Sequence, residues 1–198
     1  AALNGQCIYA ETQRQSGGLM IRQGMVGGYM YLRALMGPED LLVAFCEQPD
    51  LIHAMMRQWA AIMNEGLKRI QAHVELDELA MGEDICYVKG LLISPDMVRE
   101  FLLPYYQDVV GNARRRQRRK LYFNVDTDGF ADRAVPLYLE AGMDVMDPWE
   151  VASGCDVVRA GRQWPELVLT GGIDKRVLAA GKDAINKHLE HIIPPMLE

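Results

Sequence analysis

The sequence lacks the features that mark several classes of protein. Its four cysteines, Cys7, Cys46, Cys86 and Cys155, show no Cys-x-x-Cys spacing and have no histidine cluster near them, so disulfide bridges and a zinc site built from them are not expected. No apolar run approaches the ~20 residues that span a bilayer, and no signal-peptide pattern opens the chain. We expect a cytoplasmic protein in a reducing compartment, without a membrane partner.

The chain also lacks an excess of positive charge. Its formal net charge is −6 and its isoelectric point is about 5.3, which argues against a nucleic-acid partner. The basic run at residues 114–120 is expected to end a helix, where cations complement the helix dipole. With 198 residues, of which 49% are hydrophobic and 24% charged, the chain has the size and composition of one ordinary globular domain.

The order of apolar segments predicts alternating strands and helices. Residues 1–20 are expected to be irregular, and residues 19–36 to form a strand that passes through a glycine-rich bend into a short helix. Helices are expected over residues 41–47, 49–70, 95–118, 131–140, 155–162 and 182–193, and strands over 78–81, 121–125, 143–146 and 166–170. This alternation with short loops predicts a parallel sheet, in a (β/α)8 barrel or in an open doubly wound fold.

Acidic residues follow four successive predicted strands. They are, in chain order, Glu83 and Asp84, Asp126 and Asp128, Asp147 and Glu150, and Asp174. Because ligands of parallel α/β folds bind at the carboxyl ends of the strands, we expect these acids to line one shared cleft.

Asp126 and Asp128 are the central catalytic candidates. They follow a strand that is expected to be buried, and Gly129 after them permits a sharp turn. If the strand continued, residues two apart would point to one face, as a shared metal ion or proton requires. The alternative is a turn in which the aspartates bind local backbone N–H groups. The nucleophile loop of haloacid-dehalogenase phosphatases has a similar pattern, but it stands near the N-terminus and continues into Thr, whereas Phe130 follows here.

Other candidates stand beside these acids. Glu83 or Asp84 is expected to act as a general acid or base, with a pair of loop or helix-cap acids as the alternative. A carboxylate or phosphate of a substrate could be held by cationic and polar side chains at the same strand ends, although a solvated turn would explain the basic ones equally well. The candidate substrate-binding residues are Tyr87, Lys89, Glu150, Asp174 and Lys175.

Four segments resemble the uroporphyrinogen decarboxylase superfamily in order and spacing. They are residues 82–106, 125–129 (VDTDG), 140–150 and 171–176 (GGIDKR). The resemblance covers about residues 30–197 and implies a (β/α)8 barrel of TIM type. About five of its eight strands are expected here, so the first and last strands would be missing or outside this chain. Residues 1–198 would then form a single barrel domain within a longer protein.

The superfamily includes the haem-pathway decarboxylase and corrinoid-dependent methyltransferases that act on thiols. Its decarboxylases hold the substrate carboxylates with N-terminal arginines, which are not visible here, because Arg22 lies too close to the later strands. Its methyltransferases bind a thiol-activating zinc through a His-x-Cys pair and a later Cys. Asp126 and Asp128 stand at the positions of that pair, with a third ligand expected beyond Glu198. Two carboxylates suit magnesium, manganese or calcium better than such a zinc.

The resemblance therefore implies an enzyme. Our first hypothesis is methyl transfer between a corrinoid on a partner protein and a small acceptor, with a divalent metal at Asp126 and Asp128 as a possible cofactor. The alternatives are uroporphyrinogen decarboxylation in porphyrin biosynthesis and a non-catalytic binding subunit. Because five strands leave open sheet edges, we also expect a homo-oligomer.

Overall fold

Short strands of alternating apolar residues build one parallel sheet. The structure is a computed structural model that describes residues 2–197. Its strands are β1 (Arg22–Val26), β2 (Glu78–Gly82), β3 (Cys86–Tyr87), β4 (Gly90–Leu91), β5 (Tyr122–Asp126), β6 (Val145–Asp147) and β7 (Val168–Leu169). Strands β1, β2, β5, β6 and β7 pair in that order and in parallel, while β3 and β4 form a separate antiparallel hairpin. This confirms the α/β class and the partial (β/α)8 barrel.

Helices connect the strands of the sheet. They are α1 (Ala2–Gly17), α2 (Gly28–Met36), α3 (Pro38–Glu47), α4 (Pro49–Gln71), α5 (Pro95–Phe101), α6 (Leu103–Arg115), α7 (Val135–Glu140), α8 (Val157–Gln163), α9 (Lys175–Ala179) and α10 (Lys182–Leu197). Short 3-10 turns lie at Ala131–Arg133 and Val151–Ser153. None of the helices between residues 2 and 197 combines the length and apolarity that crossing a membrane requires.

The helices cover one face of the sheet. The strand residues on this face belong to the same hydrophobic core as helix residues such as Trp59 and Val109. Trp59 is buried in the long amphipathic helix α4, and its indole N–H donates to the carbonyl oxygen of Val26 at 2.9 Å. The fully buried strand residues on this face are Leu79, Met81, Phe123, Val125 and Met146.

The opposite face of the sheet is richer in small and polar residues, and we call it the interior face because it corresponds to the inside of a (β/α)8 barrel. The register of the strands assigns the alternate residues to it. Its residues are Arg22, Gly24 and Val26 of β1, Glu78, Ala80 and Gly82 of β2, Tyr122, Asn124 and Asp126 of β5, and Val145 and Asp147 of β6. These residues lie outside the hydrophobic core that the helices form with the other face.

The prediction of an irregular segment at residues 1–20 is wrong, because residues 2–17 form α1. This segment contains no proline and several good helix formers, which favour a helix even without a strong apolar period. Cys7 is its one buried side chain among the described residues. Arg14 attaches the helix to the segment before β2 by donating to the carbonyl oxygen of Glu75 at 2.9 Å.

Prolines explain two other differences from the predicted helices. The predicted helix 95–118 is divided into α5 and α6, because Pro104 lacks an N–H group and its ring obstructs the preceding turn. Its predicted start is confirmed, since the Ser94 hydroxyl accepts a hydrogen bond from the Met97 N–H at 3.1 Å. The predicted helix 131–140 becomes a 3-10 turn followed by α7, which begins just before Pro136. The β3–β4 hairpin and α9 were not predicted.

Candidate functional site

Two strand-end aspartates stand side by side on the interior face. Asp126 is the last residue of β5, and its register partners are Asp147 at the end of β6 and Gly82 at the end of β2. Residues in register on neighbouring parallel strands point to the same face. The two carboxylates therefore share the carboxyl end of the sheet, where ligands of such folds bind.

The environment of this pair raises the pKa of both carboxyl groups. Partial burial raises the pKa of Asp126 above its usual value, and the negative charges of Asp147, Asp84 and Asp128 raise it further, while Arg22 opposes the rise. The pKa of Asp147 is also raised, chiefly by burial. Neighbouring carboxylates with raised pKa values can hold a proton between them.

Asp84, which is half-buried, and Asp128, which is exposed, border the pair on two turns. Strand β5 ends at Asp126, so Asp128 lies in the following turn and is exposed. Asp84 adopts a left-handed backbone conformation with φ 43°, and its Oδ1 accepts from the Asp128 N–H at 3.4 Å. Asp126 and Asp128 therefore do not form the strand pair considered from the sequence, although Asp128 remains close enough to act on the charge of Asp126.

Gly129 allows the β3–β4 hairpin to contact the turn after β5. It has φ 89°, and a Cβ atom there would lie 2.8 Å from backbone atoms of Cys86 and Tyr87. The Phe130 N–H donates to the carbonyl oxygen of Tyr87 at 2.9 Å. This contact holds the exposed side chains of Tyr87 and Lys89, both predicted to bind substrate, on a hairpin beside the acidic turn.

Glu150 ties that turn to α9. Its Oε2 accepts from the Gly129 N–H at 3.0 Å and from the Ser153 hydroxyl at 2.8 Å, and its Oε1 accepts from the Lys175 ammonium at 2.8 Å. The bond from Lys175, followed by those from Ser153 and Gly129, lowers the pKa of Glu150 to about 2. Glu150 is therefore an anion that fixes the turn, and Lys175 is engaged with it.

Asp174 caps α9. Its Oδ1 accepts from the Arg176 N–H at 2.9 Å, and the Arg176 guanidinium donates to Oδ2 at 2.7 Å. These contacts with Arg176 lower the pKa of Asp174 to about 2. The Asp174 N–H also donates to Nε2 of His188 on α10 at 3.2 Å. Asp174 thus fixes the start of α9 beside α10, and its predicted role in substrate binding stays a prediction.

Glu83 has no exposed surface and lies beneath the strand ends. The hydroxyls of Tyr106 on α6 and Tyr138 on α7 both donate to its Oε1, the latter at 2.9 Å. Its Oε2 occupies the space that a side chain at Gly27, the residue before α2, would need. The Glu83 N–H donates to the carbonyl oxygen of Asp126 at 2.8 Å. These contacts are those of a positioning residue, and the catalytic role expected from the sequence stays a prediction.

Burial keeps Glu83 largely protonated at neutral pH. Its pKa is raised to about 8 by desolvation, although the two tyrosine hydroxyls and the backbone amides of Tyr29 and Met30 oppose the rise. A carboxylic acid hydrogen-bonded in this way is far less costly to bury than a carboxylate.

The residues at this end of the sheet do not fit a thiol-activating zinc. Between residues 2 and 197, no three His, Cys, Asp or Glu side chains converge to hold a metal ion. Such a zinc favours sulfur and nitrogen ligands, and Asp126 and Asp128 supply oxygen alone. Cys86 and Cys155 lie beside Gly129, but burial raises both pKa values, that of Cys86 to about 12, so they remain thiols. The divalent metal stays a prediction.

Several residues of the site were not among its predicted members. Asp147 was recognised as a strand-end acid but not as the partner of Asp126, because register cannot be read from one sequence. Tyr106 and Tyr138 reach Glu83 from 23 and 55 residues away. Arg22 was set aside as part of an incomplete motif, although its alternation with Gly24 on a strand could have assigned it to the interior face.

Comparison with known proteins gives matches to one family model and to solved structures. Residues 21–196 match the model of the family described as uroporphyrinogen decarboxylase (URO-D). Among solved structures, a methyltransferase from Methanosarcina mazei superposes with a TM-score of 0.72 at 15% sequence identity. The match covers 92% of this chain and 52% of the methyltransferase, so the chain spans about half the length of that protein. No curated protein matches the chain.

Replacing Glu83 with Gln should change how stability depends on pH. The carboxyl pKa is about 8 in the folded protein against an ordinary value of 4.5. Between these values the folded state binds more protons than the unfolded state, so the free energy of unfolding falls as pH rises, by up to about 1.4 kcal/mol per pH unit. Glu83→Gln should remove this slope in urea unfolding followed from pH 5 to 8, whereas the exposed control Glu190→Gln should keep it. Equal slopes in the parent protein, Glu83→Gln and Glu190→Gln would contradict the raised pKa of Glu83.

Proposed function

Because the chain belongs to the uroporphyrinogen decarboxylase family, we propose that it is an enzyme that transfers a methyl group between a corrinoid-carrying partner protein and a small acceptor. The observation that carries this proposal is the pair of carboxylates, Asp126 and Asp147, on the interior face at the carboxyl end of the sheet. Enzymes with (β/α)8 barrels place their chemistry at this end. The solved methyltransferase from Methanosarcina mazei shares the architecture.

Methyl transfer to oxygen, nitrogen or sulfur needs a proton carrier. An acceptor loses a proton when it gains a methyl group, and it regains one when the methyl group leaves. The corrinoid would supply or receive the methyl group itself. The pair of Asp126 and Asp147 is suited to take up and return the proton, because their raised pKa values bring proton exchange closer to neutral pH.

The neighbouring residues have distinct proposed roles. Asp84 and Asp128 add negative charge that raises the pKa of Asp126. Tyr87 and Lys89 on the hairpin, with Lys175 on α9, lie around the acidic turn, where a substrate or the partner protein would approach. Their substrate-binding roles are part of this proposal.

Uroporphyrinogen decarboxylation is the second candidate. It is favoured by Arg22, a cation on the interior face that could face a substrate carboxylate. A binding subunit without catalytic activity is the third candidate, and the activity measurements described below separate the three.

We also propose that the protein works as a homo-oligomer in the cytoplasm. Within residues 2–197, β1 and β7 each pair on one side alone, and Val168 of β7 is 50% exposed. Such edges are usually covered by another chain or segment. All four cysteines are free, which fits a reducing compartment.

Light scattering should give a mass above that of one chain, and a monomer would contradict the oligomer.

Asp126→Asn and Asp147→Asn should each slow methyl transfer by about a hundredfold or more, because general acid–base catalysis contributes at least that much. The assay follows the loss of the methyl–cobalt absorbance of methylcobalamin with small alcohols, phenols, amines and thiols as acceptors. The matched control is Asp183→Asn, an exposed residue at the start of α10, which should keep the parent rate.

The same proteins should then be incubated with uroporphyrinogen. Release of carbon dioxide without methyl transfer would replace the first candidate with the decarboxylase. Activity in neither assay would favour the binding subunit, and full activity of both Asn variants would exclude the carboxylate pair from the chemistry.

A further inference from the structure

Two residues other than glycine adopt a left-handed backbone conformation within residues 2–197. Asp84 has φ 43° and Trp149 has φ 47°. Asp84 follows β2 and Trp149 follows β6, and these two strands flank β5 and its last residue, Asp126. Aspartate tolerates this conformation because its short side chain can bind nearby backbone groups, whereas a bulky side chain is strained in it. The strain at Trp149 therefore needs a reason in the structure.

The indole group of Trp149 is a second irregularity. Trp149 is 1% exposed, and its indole N–H is buried without a hydrogen-bond partner among the residues that the structure describes. Such orphaned donors are rare in folded proteins. Trp59 shows the usual arrangement, because its buried indole N–H donates to a backbone carbonyl. Residues of this chain already enclose the Trp149 nitrogen, so its environment does not depend on any further strand of a barrel.

Trp149 anchors the segment that joins two of the acids at the strand ends. The segment 147–150 runs from the aspartate that ends β6 to Glu150, and Trp149 is its one buried member. The indole ring stacks on that of Trp164 at the end of α8, with ring centroids 6.4 Å apart and planes 20° apart. Beyond this anchor, the Glu150 carboxylate accepts from the Gly129 N–H in the turn after β5.

Backbone hydrogen bonds fix the residues before Trp149. The carbonyl oxygen of Asp147 accepts from the Thr127 N–H at 2.9 Å, and that of Pro148 accepts from the Gly172 N–H at 3.2 Å. Strain persists in a folded protein where the surrounding contacts over-determine a conformation. The stacked indole and the hydrogen bonds on both sides of it do so here.

We propose that Trp149 is the positioning residue of the candidate carboxylate pair. Its buried ring holds the segment 147–150 in a strained turn, and this turn keeps Asp147 beside Asp126 while Glu150 secures the turn after β5. Packing of the ring alone would require neither the strained backbone nor the unpaired N–H. The inference rests on the proposed function, in which Asp147 takes part in proton transfer.

Hydrogen exchange measured by NMR tests the positioning. Trp149→Leu removes the stacked ring and loosens the segment. Exchange of the Thr127 and Gly172 amides, which donate to the segment, should therefore accelerate at least about tenfold more than exchange of two control amides. The controls are the amides of Asp77 and Tyr122, which form hydrogen bonds at the opposite end of the sheet. Trp149→Phe retains an aromatic ring and should show no such difference.

A pair of smaller variants tests the strain. Trp149→Gly and Trp149→Ala both lack the ring, but glycine alone adopts φ 47° without strain. The Gly variant should therefore be the more stable of the two, by about fivefold or more in the folding equilibrium constant from urea unfolding. At positions with negative φ the order is usually the reverse.

Phe45→Leu is the matched control, because Phe45 is a similarly buried aromatic residue in α3. It should accelerate exchange at Thr127 and Gly172 no more than at the control amides. In the parent protein the indole N–H of Trp149 should exchange slowly, because it is enclosed. Equal acceleration at all four amides in Trp149→Leu, a Gly variant less stable than the Ala variant, or a rapidly exchanging Trp149 indole would each overturn the proposal.

These measurements use no methyl donor, so they are independent of the proposed reaction. A confirmed role of Trp149 without methyl transfer would contradict that reaction and leave the placement of Asp147 intact.

Discussion

The carboxyl group of Glu83 joins the elements on which the strand ends depend. It receives hydrogen bonds from Tyr106 of α6 and Tyr138 of α7, and it occupies the space beside Gly27 where α2 begins. The same residue donates its backbone N–H to Asp126. The side chain and the backbone of this one buried residue thus fix the ends of β1, β2 and β5 relative to one another.

The acidic side chains at the strand ends above Glu83 repel one another. Asp126 and Asp147 stand in register on adjacent strands, and Asp84 and Asp128 add like charge from the turns. Glu150, by contrast, is neutralised by Lys175, and Asp174 is neutralised by Arg176. Glu150 and Asp174 therefore stabilise the turns, whereas Asp126 and Asp147 have raised pKa values. Acids whose pKa values are raised by burial and by neighbouring charges are typical of functional sites.

The sequence predicted the order of strands and helices and the collection of acids at the strand ends, because apolar periodicity and strand-end chemistry are local properties. It did not distinguish Glu83 from Asp84, although one is fully buried and the other borders the cleft. That difference depends on two tyrosines that are distant in sequence. The pairing of Asp126 with Asp147 depends on strand register, which is a tertiary property.

The most direct test of the carboxylate pair is a pH titration of side-chain carboxyl carbons by NMR. Asp126 and Asp147 should titrate above the ordinary range for aspartate, and Glu150 should titrate far below the range for glutamate. Asp147→Asn should lower the pKa of Asp126, because it removes a neighbouring negative charge. Ordinary pKa values for both aspartates, unchanged by the substitution, would contradict the central claim that they form one proton-sharing site.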